Sequence, residues 1–272
     1  MAPRDRPIGV FDSGVGGLTV LRELRRQLPQ ESTIYLGDEA RMPYGERDAA
    51  EVLRFTREAV AWFGREHQPK LIVIACNTAT AAALETVREE ASVPIIGVIR
   101  PGAAAAISAT SRRAVGVLAT ALTVRSGAYV RAVRDLDPFV DVVQKACPKL
   151  VPLVEAGGAD GPEAEEAVRE YVLPLVSEGA AVSPGVDTLL LGCTHYPLLR
   201  SAIAKAAGPG VRVVDSATTT SLAVREVLES HGLNAGLERP EHQVFATGPA
   251  ERFSEVARRI FREDVGVRET AL

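Results

Sequence analysis

Short, uninterrupted runs of apolar residues alternate along the chain with longer amphipathic segments. Such runs are typical of strands that are buried on both faces of a parallel sheet. They cover residues 8–11, 33–36, 71–75, 95–99, 115–118, 189–191 and 211–214. In the segment 49–67, apolar residues instead recur at helical spacing with charged residues opposite them, which predicts an amphipathic helix. The alternation predicts an α/β fold with mainly parallel sheets flanked by helices.

A weak internal repeat predicts two similar domains. In the first half, a strand runs into Asp12 and a later strand ends at Cys76. In the second half, a strand runs into Thr120 and a later strand ends at Cys193. We therefore expect two pseudo-symmetric domains, with both cysteines facing a cleft between the domains that holds the active site.

The domain boundaries follow from breaks in the pattern. Arg100-Pro-Gly102 interrupts the apolar periodicity and predicts a hinge, and we expect the chain to return to the first domain near Gly210. The predicted first domain comprises residues 1–100 plus 210–272, and the predicted second domain comprises residues 101–209.

Composition and charge narrow the class of protein. The chain has 272 residues, of which 46% are hydrophobic, so it can bury substantial cores. A net charge of −4 argues against a nucleic-acid partner, and we interpret Arg22, Arg25 and Arg26 as a solvated helix face. No apolar stretch is long enough to span a membrane. The N-terminal residues do not resemble a signal peptide, and three cysteines, an odd number, predict reduced thiols and a cytoplasmic location.

The two strand-end cysteines carry the strongest chemical signal. The triplets Cys76-Asn-Thr78 and Cys193-Thr-His195 each place a thiol beside groups that can hydrogen-bond a carboxylate or an ammonium group. We expect each triplet at the start of a helix, a position that favours a thiolate. Because open α/β sheets bind small ligands at the carboxyl ends of their strands, a small molecule could have a thiol on either side. That arrangement suits reversible proton transfer at one carbon.

Other interpretations of these cysteines remain open. A lone cysteine at a strand end is usually a small buried hydrophobe. A zinc site is disfavoured, because the cysteines are not in C-x-x-C pairs and the chain contains only four histidines. A Cys/His hydrolase with His195 as its base would leave the second thiol without a function. His195 itself either orients groups and relays protons or is a core histidine.

The turn at residues 12–17, Asp-Ser-Gly-Val-Gly-Gly, follows a strand and leads into a helix near Leu18. Unpaired N–H groups at such a helix start favour an anion, whereas Asp12 and Ser13 could equally be simple helix caps. The spacing matches neither a dinucleotide fingerprint nor a phosphate-binding loop, so we expect no nucleotide. Tyr44 lies in a turn from which its hydroxyl could reach the same site. Cys147 lacks polar strand-end neighbours, and we interpret it as structural.

Taken together, these motifs resemble those of the glutamate racemases, a cofactor-independent group of the aspartate/glutamate racemase superfamily. The likeness spans nearly the whole chain. It is carried by residues 8–19, 35–38 with 43–45, 75–79, 146–148 leading to Glu155, and 191–197.

The resemblance implies interconversion of L- and D-glutamate without a cofactor or a metal. It assigns the proton-transferring thiols to Cys76, which takes the α-proton of D-glutamate, and Cys193, which takes that of L-glutamate. It names Asp12 and His195 as further catalytic residues, with Asp38 and Glu155 as supporting acid/base groups. The implied substrate contacts are Asp12, Ser13, Tyr44, Gly45, Asn77, Thr78, Thr120, Thr194 and His195. It also implies a homodimer and a role in supplying D-glutamate for peptidoglycan.

Several alternatives compete with this interpretation. The substrate could be another amino acid such as aspartate, or a hydantoin. A thiol-dependent decarboxylase needs just one cysteine. A non-catalytic amino-acid-binding protein would use the same polar residues but has no need of two thiols. A redox dithiol requires the two sulfurs to meet where the substrate should fit.

Overall fold

The computed structural model describes residues 2–177 and 185–272. In these ranges the strands are β1 (Ile8–Asp12), β2 (Thr33–Gly37), β3 (Leu71–Ile74), β4 (Ile95–Gly97), β5 (Ala114–Ala119), β6 (Asp141–Ala146), β7 (Thr188–Gly192), β8 (Arg212–Asp215), β9 (His242–Ala246) and β10 (Val267–Glu269). The α-helices are α1 (Leu18–Gln27), α2 (Ala49–Glu66), α3 (Asn77–Glu90), α4 (Ile99–Ala109), α5 (Ala121–Ser126), α6 (Ala128–Leu136), α7 (Leu150–Glu155), α8 (Pro162–Val176), α9 (Arg200–Ala207), α10 (Ala217–Ser230) and α11 (Ala250–Phe261). The chain divides into two compact units, one formed by Met1–Val98 with Ala217–Leu272 and the other by Ile99–Ser216.

The first unit is built on a parallel sheet with the strand order β10-β9-β2-β1-β3-β4. Every residue of β1, β2 and β3 is buried, as expected for strands that are covered on both faces. The predicted helix at 49–67 is confirmed as α2, whose first turn is capped by Asp48 accepting a hydrogen bond from the Ala50 N–H at 3.1 Å. Its buried side chains pack on the sheet, and Phe63 lies against Gly9 of β1.

The second unit is built on a smaller parallel sheet with the order β6-β5-β7-β8. This order is the one found in the centre of the first sheet, β2-β1-β3-β4, with each strand replaced by its counterpart. In both sheets a fully buried strand, β1 or β5, lies beside the strand that leads to a cysteine. The predicted α/β class, with two similar parallel sheets flanked by helices, is confirmed.

Of the two predicted boundaries, the one near residue 100 lies close to the boundary between the compact units, and the one at Gly210 does not. Residues 100–102 lie in the first turn of α4, next to the boundary between the units at Val98 and Ile99. Pro101 fits there because the first turn of a helix has no intrahelical hydrogen bond for a proline to remove. The predicted boundary at Gly210 places strand β8 in the first domain. This strand pairs with β7 in the second sheet, so the chain passes into the first unit only after Ser216.

The arginine cluster on α1 is only partly a solvated face. Arg22 and Arg26 are exposed, as predicted. Arg25 is half-buried, with its guanidinium 5.0 Å from the ring centre of Phe261 and its Nε donating to Thr33 Oγ1 at 3.2 Å. Its long side chain therefore covers apolar surface within the first unit. Within residues 2–177 and 185–272, the helices are too short or too polar to cross a membrane.

Candidate active site

Cys76 and Cys193 occupy equivalent places in the two sheets. Each follows a central strand at its carboxyl end, Cys76 two residues after the end of β3 and Cys193 directly after β7. Their relative exposures are 4% and 6%, so both cysteines are buried. The carboxyl edge of a parallel sheet is where α/β proteins bind small ligands. Each unit therefore presents one thiol at such an edge.

The Cys76 thiol is held by a helix start. Cys76 is the N-cap of α3, and its Sγ accepts a hydrogen bond from the Ala79 N–H at 3.4 Å. The thiol also donates to Ser13 Oγ at 3.5 Å. Asn77 and Thr78 form the first two positions of α3 and are buried. Because backbone N–H groups at a helix start stabilise negative charge, this position suits both a thiolate and a bound carboxylate.

The glycine-rich turn after β1 is packed around Asp12. Asp12 is fully buried, and its Oδ1 accepts a hydrogen bond from the Gly14 N–H at 3.0 Å. A Cβ atom on Gly17 would lie 2.5 Å from Cβ of Asp12 and 2.8 Å from the hydroxyl of Tyr35. Tyr35 in turn donates to the Gly14 carbonyl at 2.6 Å. The turn therefore requires glycine for close approach, and it fixes Asp12 at the strand end beside Ser13.

Tyr44 is positioned by Asp38. Its hydroxyl is buried and donates to Asp38 Oδ2 at 2.5 Å, so it is engaged within the unit. Burial and the Asp38 carboxylate raise the pKa of Tyr44 well above its ordinary value, and a Cys76 thiolate contributes in the same direction. Tyr44 is therefore a neutral phenol close to Cys76. Gly45 is buried next to it.

The Cys193 thiol lies beside a paired histidine and glutamate. His195 Nδ1 lies 3.8 Å from Cys193 Sγ, and His195 Nε2 pairs with Glu155 Oε1 at the end of α7. Burial by itself lowers the pKa of His195, but its hydrogen bonds to Cys193 and Glu155 outweigh burial and raise that pKa well above the ordinary value. These two contacts favour the protonated imidazole, whose positive charge lies beside the sulfur.

The backbone after Cys193 differs from the predicted helix start. Residues 193–195 lead into a 3₁₀ helix, Tyr196–Leu199, and α9 begins only at Arg200. The Cys193 thiol thus does not cap an α-helix. Thr194 is buried in this turn, and Thr120 lies at the N-cap position of α5 with its Oγ1 3.0 Å from Thr123 Oγ1. Both threonines therefore lie at carboxyl ends of neighbouring strands, β7 and β5.

Two further tyrosines, Tyr129 and Tyr196, lie near Cys193. Tyr129 is fully buried, and a Cβ atom on Gly192 would lie 2.9 Å from its ring. Burial and then a Cys193 thiolate raise the pKa of Tyr129 well above its ordinary value. Tyr196 donates to the Cys147 carbonyl at 3.2 Å. Tyr196 could have been noticed because it follows His195 in a quoted motif, whereas Tyr129 sits in an amphipathic helix without any motif.

Cys147 differs from the other two cysteines. It is 1% exposed, and burial raises the pKa of its thiol to about 12. At neutral pH this thiol stays protonated, which fits the structural role that we predicted for it. The parts of the chain that the structure describes contain no group of three or more His, Cys, Asp or Glu side chains arranged to hold a metal ion.

Comparisons with known proteins give the family. The family model for Asp/Glu/hydantoin racemases matches residues 8–226. A glutamate racemase from Exiguobacterium sibiricum is 46% identical over 254 residues, which cover 93% of this chain and 91% of that protein. The crystal structure of a glutamate racemase isoform from Bacillus anthracis has a TM-score of 0.93 at 41% identity and covers 99% of this chain and 98% of that chain. The glutamate racemase from Francisella tularensis, solved in complex with D-glutamate, has a TM-score of 0.89 at 31% identity over 98% of both chains.

With these matches, the fold and the strand-end thiols define an isomerase that acts on amino acids. The chain belongs to the Asp/Glu/hydantoin racemase family. The resemblance drawn from its motifs is thereby confirmed.

Proposed function

We propose that this chain interconverts L- and D-glutamate, with Cys76 and Cys193 as the two proton carriers. The observation that carries the proposal is the equivalent placement of the two thiols, each at the carboxyl end of a central strand in one of two like sheets. The relatives at 41–46% identity are glutamate racemases, and the relative from Francisella tularensis binds D-glutamate, which favours glutamate over aspartate or a hydantoin.

In this mechanism one thiolate removes the α-proton from one face of the substrate, and the opposite thiol donates its proton to the other face. The first sulfur ends as a thiol and the second as a thiolate, so the enzyme is ready for the reverse reaction. Inversion needs two carriers, because a single base tends to return the proton to the side from which it came. Following the family pattern, Cys76 acts on D-glutamate and Cys193 on L-glutamate.

The chemical difficulty is that the α-hydrogen of an amino acid is far less acidic than a thiol, whose reference pKa is about 8.5. A thiolate is therefore a weak base for removing that hydrogen. Stabilisation of the developing carbanion must come from fixed donors around the α-carboxylate. The start of α3 supplies backbone N–H groups together with Asn77 and Thr78. Thr120 and Thr194 supply hydroxyls at the strand ends of the second unit. The remaining proposed substrate contacts are Asp12, Ser13, Tyr44, Gly45 and His195.

The charged groups around each thiol support distinct catalytic roles. The protonated His195, held by Glu155, stabilises a thiolate at Cys193. Asp12 is the buried carboxylate of the Cys76 unit and is the proposed catalytic group on that side. Asp38 is proposed as a supporting group, through its hydrogen bond to Tyr44.

The lysines support a reaction without a Schiff-base cofactor. Lys70 is buried and engaged by Glu31 and by the carbonyls of Arg4 and Leu233. Lys149 and Lys205 form exposed ion pairs with Glu170 and Glu165. These three amines are engaged by other groups, and following the family resemblance we propose that no cofactor takes part.

The biological setting that we propose follows the family. The enzyme supplies D-glutamate for peptidoglycan, acts in the cytoplasm and forms a homodimer. Loss of the gene should make growth depend on added D-glutamate, and sedimentation of the purified protein should give twice the mass of one chain.

The direct test of substrate uses purified protein without added cofactor. Incubation with L-glutamate should bring the optical rotation to zero, whereas L-aspartate at the same concentration should keep its rotation. Loss of rotation with aspartate alone would assign the other substrate. No change with either amino acid, despite binding of D-glutamate by calorimetry, would make the chain an amino-acid-binding protein.

A further inference from the structure

Thr247, which lies in no sequence motif, contacts three nearby residues: Gly37, Asp38 and Ala40. It follows β9, which pairs with β2 so that Ala246 lies opposite Gly37. Its N–H donates to the Gly37 carbonyl at 3.0 Å. Its Oγ1 donates to Asp38 Oδ1 at 2.8 Å and accepts a hydrogen bond from the Ala40 N–H at 3.1 Å. One hydroxyl from the C-terminal part of the chain thus bonds to two positions just past β2.

The Asp38 carboxylate connects Thr247 to the turn at residues 43–45 through hydrogen bonds. Asp38 is fully buried, and its Oδ2 accepts hydrogen bonds from Arg41 Nε at 2.6 Å and from the Tyr44 hydroxyl. A buried carboxylate is stable only when donors surround it, so the carboxylate and its donors move together. Thr247 is the donor to its other oxygen.

This network packs against the Asp12–Ser13 strand end, which lies beside the Cys76 thiol. A Cβ atom on Gly14 would lie 2.7 Å from Met42 Sδ, so the segment before the turn packs on the Asp12–Ser13 strand end. The Asp38 N–H donates to the Asp12 carbonyl at 3.0 Å. A shift of Asp38 would therefore displace Tyr44 and Gly45 relative to Asp12.

We propose that Thr247 is a positioning residue for glutamate, because it holds Asp38 as the anchor of the Tyr44–Gly45 turn. In this account Asp38 acts through its three donors. The inference rests on the proposed function, because Tyr44 and Gly45 matter here as substrate contacts. Thr247 touches neither thiol, so its contribution lies in binding and not in the proton-transfer steps.

The test compares Thr247→Val, which keeps the shape but removes the hydroxyl, with Thr247→Ser, which keeps the hydroxyl. Because the lost bond goes to a charged group, we expect Thr247→Val to raise KM for glutamate about tenfold while kcat stays within about twofold. Thr247→Ser should restore the KM of the unmodified enzyme. Thr270→Val is the matched control, since Thr270 accepts a hydrogen bond from Trp62 Nε1 at 3.2 Å and has none to residues 38–45. Its KM should not change.

The outcomes separate this inference from the proposed function. If the unmodified enzyme does not racemise glutamate, the proposed function fails and this inference fails with it. If it does so and Thr247→Val has an unchanged KM, or loses kcat at unchanged KM, only the positioning role is overturned. Should Thr247→Val not fold, Thr247→Ala replaces it in the same comparison. Failure of both variants to fold beside a folded Thr247→Ser would make Thr247 a structural residue and overturn the inference.

Discussion

Cys76 and Cys193 follow equivalent strands of two like sheets, but their immediate partners are of different kinds. The partners of Cys76 include two neutral groups, the Ala79 N–H at the start of α3 and the hydroxyl of Ser13. Around Cys193 the nearest partner is His195, whose charge is stabilised by Glu155. Cys76 caps an α-helix, whereas Cys193 leads into a 3₁₀ helix.

The difference shows that thiolates at two equivalent positions can be stabilised by different interactions. A helix start stabilises a nearby negative charge by about 0.3–1 kcal/mol, and its donors belong to the backbone. A hydrogen bond between a charged imidazole and a thiolate belongs to the stronger class, worth about 1.5–3 kcal/mol. Support at Cys193 therefore includes a charged side chain, whereas support at Cys76 includes the backbone N–H of Ala79, which side-chain substitution leaves in place.

The largest expected effect comes from removing either proton carrier. Cys76→Ala and Cys193→Ala should each reduce racemisation of glutamate below detection, measured by polarimetry, because each removes one of the two carriers. Cys147→Ala is the matched control: its thiol stays protonated, and the variant should retain most of the activity. Substantial turnover in either strand-end variant, with folding verified by circular dichroism, would contradict equal roles for the two thiols.

A smaller effect is expected from His195→Asn. Loss of the charged partner should lower kcat/KM by about 10²-fold, the size of an acid/base contribution. The loss must be equal in both directions, because the two enantiomers have the same free energy. The two directions should differ in their isotope effects. Deuteration of the α-carbon should slow the racemisation of L-glutamate more than that of D-glutamate, because removal of the proton by Cys193 becomes rate-limiting. Equal isotope effects for the two substrates would argue that His195 does not act on Cys193 alone.

The smallest effect concerns stability and pH. The pKa of His195 in the folded protein is raised well above the ordinary 6.5. Its charge therefore stabilises the fold fully below about pH 6.5, and this contribution is lost as the pH rises through the folded-state pKa. The Tm advantage of the unmodified protein over His195→Asn should be largest at low pH and shrink by roughly 2–4 °C as the pH rises through that value. An advantage that grows with pH would mean that His195 is neutral in the folded protein.

The sequence predicted the strands that are buried on both faces, and also β8, but it did not predict β6, β9 or β10. The strands β1, β3 and β7 read as continuous apolar runs because helices cover both of their faces. Strand β6 contains Gln144 and Lys145 and is only half-buried, and β9 begins with an exposed His242. Such strands lie near sheet edges, where the burial that produces a periodic pattern is incomplete.

The candidate site was predictable where chemistry lies within a few residues of a strand end. The cysteine triplets and the Asp12 turn are local signals of this kind. The contact of His195 with Glu155 joins residues that are 40 positions apart, and that of Asp38 with Thr247 joins residues 209 apart. Such pairs depend on how strands are ordered in a sheet, so the sequence alone suggested Glu155 only through the family resemblance and did not suggest Thr247 at all.

The most direct test of two carriers is an early time course in heavy water that starts from pure L-glutamate. If Cys193 removes the α-proton and Cys76 delivers a solvent-derived deuteron, each molecule of D-glutamate formed should carry deuterium, while the remaining L-glutamate keeps its protium. Mass spectrometry of the separated enantiomers measures both. D-glutamate that retains the original proton, or L-glutamate that gains deuterium as fast as D-glutamate forms, would contradict the two-thiol account.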